Sequence, residues 1–132
     1  MTELATTVSA EVPATPGFVH VLRNVAAGVA AREDMPIDQI EELRLAVTEA
    51  ASLLLEEAEE ATFLRMTIGR DADALDVTLT SDGQVHLWPS ESALASWPWL
   101  VVKGLTDGIR AERRDGEGPS IGFTKRHERV GR

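Results

Sequence analysis

The sequence predicts an α+β fold, a two-layer α/β sandwich with the element order β-α-α-β-β-α-β-β. Three observations carry this. Apolar residues recur at three-and-four spacing over residues 18–29 and 40–58, the mark of two amphipathic helices. Apolar and polar residues alternate over 63–68 and 75–80 on either side of a short polar connection, the mark of a hairpin. A second short pair, 109–114 and 120–126, flanks the turn sequence Asp-Gly-Glu-Gly-Pro. Helices laid on one face of an antiparallel sheet make two layers around one core. A chain of 132 residues with 43% apolar content is long enough to fill it as a single domain.

The elements follow in order. Leu4–Glu11 is rich in Val and Thr and partly alternates, so it reads as a strand. Pro-Ala-Thr-Pro-Gly breaks it, and Pro16 suits the first turn of a helix because its missing N–H would find no partner there. The helix takes Phe18, Val21, Leu22, Val25, Ala26 and Val29 as its core stripe and ends at Arg-Glu-Asp-Met-Pro. The next helix begins near Ile37 or Asp38 and runs to about Glu60, with Ile40, Leu43, Val47, Ala50, Leu54 and Ala58 inward. Leu64, Met66 and Ile68, then Leu75, Val77 and Leu79, are the inward faces of the hairpin. A loop from Asp82-Gly83 leads past tryptophans to a short helix built on Leu100, Val101, Leu105 and Ile109. The closing strand pair completes a core of about 4–126, leaving the basic tail 127–132.

Composition narrows the chemistry. A formal net charge of −9 sets the surface against a phosphate backbone, so direct nucleic-acid binding is not expected, whereas a partner with a basic face is accommodated. The absence of cysteine excludes disulfides, thiolate catalysis and cysteine zinc sites. His20, His86 and His127 lie far apart without ligand spacing, so no metal site is expected. The first sixteen residues lack the basic and apolar regions of a signal peptide. No apolar run approaches the roughly 20 residues of a membrane span. The expected location is the cytoplasm.

The segment PATPGFVHVLRNVAAGVAAREDMPIDQIEELRLAVTEA, residues 13–50, resembles the anti-sigma factor and serine-kinase branch of the histidine-kinase-like (GHKL) ATPases. Pro-Ala-x-Pro, the aromatic Phe18, Leu22-Arg23, Gly28–Ala30 and Ile40–Ala50 recur in order. Gly-Leu-Thr-Asp-Gly-Ile and Ser-Ile-Gly-Phe-Thr-Lys-Arg resemble the family's closing helix and strand pair. The resemblance covers nearly the whole chain and implies the Bergerat-type ATPase fold. It also implies an alternative sigma factor and an anti-anti-sigma factor as partners, and a homodimer.

The family's kinases carry Glu, three residues, then Asn on one helix; the Glu activates the nucleophile and the Asn holds Mg²⁺. Here Glu49 keeps the first position, but Leu53 takes the second and cannot ligate a hard cation. The adenine-reading Asp-x-Gly-x-Gly becomes Ser81-Asp82-Gly83-Gln84-Val85: Gly83 matches, Ser81 replaces the Asp, and Asp82 could substitute only through a one-residue slip that turns it to the other face. The glycine lid becomes Ser96-Trp97-Pro98-Trp99, where proline removes a phosphate donor and indoles occupy the space. Glu49, Leu53, Asp82, Gly83, Trp97 and Trp99 thus form a vestigial nucleotide site. Such losses resemble those of the actinobacterial stress-response subgroup. The implied function is sequestration of a stress- or sporulation-type sigma factor without cofactor, the alternatives being an ATP-Mg²⁺-dependent serine/threonine kinase of the antagonist and a partner-binding decoy.

Individual residues keep two readings. Glu49, in a seven-residue stripe with Glu42 and Glu56, is either a remnant or solvated carboxylate or a group with a role in nucleotide chemistry. Arg23 either covers the core with its methylenes or, as the resemblance implies, contacts the sigma factor, for which Glu49 and Glu56 are the other candidates. Trp88, Trp97 and Trp99 either plug the old nucleotide space or present a hot spot to a partner. Glu56, Glu57, Glu59 and Glu60 make a charge run that is either a solvated helix end or a surface for a basic partner. Asp107 reads as a turn residue.

Overall fold

The computed structural model describes residues 7–113 and 116–126. Strand β1 (Thr7–Pro13) leads through a 3₁₀ turn (Pro16–Phe18) into α1 (Val19–Arg32) and α2 (Ile37–Glu57). The hairpin β2 (Phe63–Asp71) and β3 (Ala74–Ser81) follows, then α3 (Glu91–Leu94), α4 (Trp97–Leu105), β4 (Gly108–Arg113) and β5 (Pro119–Arg126). The expected order holds, with the short α3 inserted before α4.

The strands form one antiparallel sheet in the order β1-β2-β3-β5-β4. Register fixes which side chains meet the helices. Met66 pairs with Leu79, Leu79 with Ile121 and Val77 with Phe123, and all five are buried. Because strand side chains alternate, this parity puts Leu64, Met66, Ile68, Leu75, Val77, Leu79, Ile121 and Phe123 in the core. The helices α1, α2 and α4 cover that face, with α2 between the other two. Leu43, Val47, Ala50 and Leu54 of α2 are fully buried, in agreement with the expected stripe. The opposite face carries polar side chains: Arg65 bonds Glu11 at 2.8 Å, and Arg110 bonds Asp76 at 3.1 Å.

Several boundaries differ from expectation for physical reasons. Phe18 is not in the core; it is 43% exposed at the cap position, and Val19 is buried instead, because α1 begins one residue later. Strand β1 runs on to Pro13, which pairs with Phe63; an edge strand tolerates a proline that gives no N–H. The expected Leu4–Thr6 of this strand lies outside the described residues. Helix α2 stops at Glu57 rather than Glu60. Ala58 is extended, and the Glu59 backbone exchanges hydrogen bonds of 2.9 and 2.8 Å with Gln84.

Helix α4 also turns differently. Ser96 caps it by accepting from the Trp99 N–H, Pro98 occupies the first turn, and Trp99 and Val102 face inward while Leu100 is 50% exposed. The Thr106 hydroxyl donates back to the Val102 carbonyl at 2.7 Å, and the chain leaves the helix there. Ile109 therefore belongs to β4, paired with Phe123, and not to the helix. Arg114 and the tail 127–132 lie outside the described residues.

Candidate functional site

The residues of the expected nucleotide site divide between two faces of the sheet. On the helix side, Glu49 is half-buried on α2 and makes no hydrogen bond or ion pair with a described residue. One turn on, Leu53 is 1% exposed and sits in the main core cluster with Leu54, Ala93 and Trp99. Its isobutyl group offers no oxygen to a cation. At Ser96–Trp99, where the resemblance implies a replaced glycine lid, Ser96 caps α4 and Pro98 lies in its first turn. Trp99 is buried there, and Trp88, also buried, donates its Nε1–H to the Ser120 carbonyl at 3.1 Å. Trp97 stands apart from these two and is 72% exposed. Leu53, Trp88 and Trp99 bring no side-chain oxygen to this part of the molecule.

On the other face, the parity of β3 separates Ser81 from Asp82. Ser81 is buried in line with Leu75, Val77 and Leu79, and its hydroxyl oxygen accepts the Gly83 N–H at 2.9 Å. Asp82 lines an open cleft of about 840 Å³ with Arg65, Thr67 and Thr80, away from Glu49 and Leu53. Its carboxylate accepts the N–H of Thr62 at 2.8 Å, the N–H of Phe63 at 3.0 Å, and the Thr62 hydroxyl. Partial desolvation pushes this carboxyl up, but those hydrogen bonds together outweigh it and hold it below its ordinary value. Asp82 thereby ties the end of β3 to the start of β2. Gly83 has a packing reason of its own: a Cβ there would stand 2.8 Å from the Ala58 Cβ and 2.9 Å from the Glu59 carbonyl oxygen.

The three expected partner contacts are not joined by any hydrogen bond. Arg23 on α1 is half-buried, and its Nε has no partner among the described residues. Glu49 and Glu56, seven positions apart, share one side of α2; Glu56 is exposed. Glu42, the first of that stripe, instead receives Lys125 Nζ at 2.7 Å, and the same Nζ donates to the Leu105 carbonyl at 2.7 Å. Lys125 thus links β5 to both α2 and α4 from a buried position. The alternation Ile121, Phe123, Lys125 carried that signal, since it places the lysine on the helix face. Asp107 accepts the Arg126 N–H at 2.7 Å, which gives it the turn role expected.

Among the described residues, no group of three or more His, Asp or Glu side chains is placed to hold a metal ion, and no helix is long and apolar enough to cross a membrane. Compared with models of known protein families and with curated proteins, the chain matches none.

Proposed function

We propose that this protein is an anti-sigma factor of the histidine-kinase-like type, which sequesters an alternative sigma factor and releases it when an anti-anti-sigma factor competes. The family reading rests on the resemblance over residues 13–50 and at the closing helix and strand pair. The two-layer architecture is compatible with it. The observation that supports binding over phosphoryl transfer is Leu53, 1% exposed in the core at the position where a kinase of this type needs a metal ligand. With no phosphoryl step, switching is a competition between two binding equilibria, and its sharpness follows the difference in affinity. The sigma factor is held by surfaces that would otherwise engage RNA polymerase, and a homodimer is the expected assembly. The test is co-purification with the sigma factors of the host. Binding of one of them is the expected result, and failure to bind any at about micromolar concentration defeats the reading. Calorimetry with ATP and Mg²⁺ separates the kinase alternative: saturable heat that vanishes in Glu49→Ala would restore it.

A further inference from the structure

An apolar ridge runs along α3 and α4. Leu94, Trp97 and Leu100 are 40%, 72% and 50% exposed, and successive members are three residues apart. Trp97 and Leu100 therefore share one face of α4. An indole this open gains nothing from the core, since Trp99 and Val102 already fill the inner face. Exposed tryptophan on a short, capped helix is the residue type that anchors protein interfaces.

The surroundings fix the chemistry of the occupant. The Ser90 hydroxyl caps α3 and lies 3.4 Å from the Glu57 carboxylate, so α3, which carries Leu94, starts beside the last turn of α2. That turn and the residues after it carry Glu56, Glu57, Glu59 and Glu60, and α3 adds Glu91. None of the five forms an ion pair with a described residue; Lys103, exposed one turn beyond Leu100 at the far end of the ridge, is the one Lys or Arg between Glu56 and Leu105 apart from the β2 and β3 hairpin. Glutamates at a helix C-terminus oppose the helix dipole, so this arrangement opposes stability unless a cation meets it.

We propose that the ridge binds a basic amphipathic helix of a partner protein, with apolar side chains seated on Trp97 and Leu100 and lysines or arginines facing the glutamates. A second copy of this chain is disfavoured because a two-fold contact would set the same acidic rim against itself. Anionic membranes and nucleic acids are repelled by the same charges. This goes beyond the sigma-factor reading and stands or falls separately from it.

The probe is a synthetic helical peptide of about 18 residues with leucines at i, i+3, i+4 and i+7 and lysines elsewhere. Its counterpart carries glutamates for the lysines. Tryptophan emission reports binding to the parent and to Leu100→Ser, because Trp88 and Trp99 are buried and Trp97 is not, and the anisotropy of a fluorophore on the peptide reports it for Trp97→Ala. The lysine peptide is expected to bind with a blue shift. Trp97→Ala and, separately, Leu100→Ser should each weaken it by at least about tenfold with an unchanged thermal melt. Conversion of Glu56, Glu57, Glu59 and Glu60 to Gln should remove most of the salt dependence. The proposal is overturned by no binding up to about 100 μM, by equal binding of the glutamate peptide, by indifference to both ridge substitutions, or by sedimentation showing that a second copy covers Trp97.

Discussion

The Asp82 carboxylate serves the fold by joining the end of β3 to the start of β2. Its two oxygens take three hydrogen bonds from Thr62 and Phe63. Because the folded state holds its pKa below the ordinary value, its stabilising contribution is present above the unfolded pKa and is lost as pH falls through the folded one. Asp82→Asn should lower stability by about 1 kcal/mol near neutral pH, a modest figure because the group is open to solvent. The gap to the parent protein should close as pH drops below the ordinary carboxylate range, which melting curves of both proteins across the acid limb will show. Leu53 makes the complementary case. Leu53→Asn introduces the residue of the resembling kinases but buries an amide among apolar side chains. It should cost about 3 kcal/mol in urea unfolding and bring no ATP-Mg²⁺ heat in calorimetry. A saturable heat in that variant would mean that the core around Leu53 opens to solvent.

The elements themselves were largely written in periodicity. The stripes of α2 and the alternation of β2 and β3 appear in the structure with the same inward residues, because long helices and half-buried strands have unambiguous periods. What the sequence concealed lay at boundaries. Phe18 has the spacing of a core residue, but the 3₁₀ turn before α1 shifts the register and turns it outward. Ile109 has helical spacing from Leu105, but Thr106 ends the helix and β5 recruits Ile109 into a strand. At the expected nucleotide site, the burial of Leu53 and Trp99 was legible from their apolar character, whereas the geometry was less so. A parity argument did place Asp82 on the opposite face from Ser81, whereas nothing local in the sequence shows that Trp97 would stand open while Trp88 and Trp99 are buried. The close approach of the β4–β5 turn to β3 was equally hidden. A Cβ on Gly118 would lie 1.9 Å from the Ser81 carbonyl oxygen, so backbone must move. Gly118→Ala should therefore destabilise by about 3 kcal/mol, read as a lower urea midpoint at unchanged m-value. An unaffected midpoint would show that the turn moves away freely.

Charge is distributed unevenly over the molecule. The open sheet face pairs its charges, Glu11 with Arg65 and Asp76 with Arg110, and at the β2–β3 hairpin Arg126 meets Asp73 at 3.5 Å. The end of α2 leaves Glu56, Glu57, Glu59 and Glu60 without ion-pair partners among the described residues, in a chain of net charge −9. Like charges gathered at the wrong end of a helix repel one another and oppose the dipole, each by a few tenths of a kcal/mol. Replacing all four with Gln should raise stability by about 1 kcal/mol at low salt. Added salt should stabilise the parent protein and leave the variant nearly unchanged, because screening already weakens these terms within a Debye length of about 10 Å at 0.1 M. The same variant should associate more slowly with a basic partner, since charge complementarity acts mainly on encounter. Stability and association rate would then move in opposite directions under one set of substitutions, the pattern of a surface kept for binding. Melting in a salt series, paired with stopped-flow association, measures both. A variant that loses stability, or one that associates at the parent rate, would assign these glutamates to solubility alone.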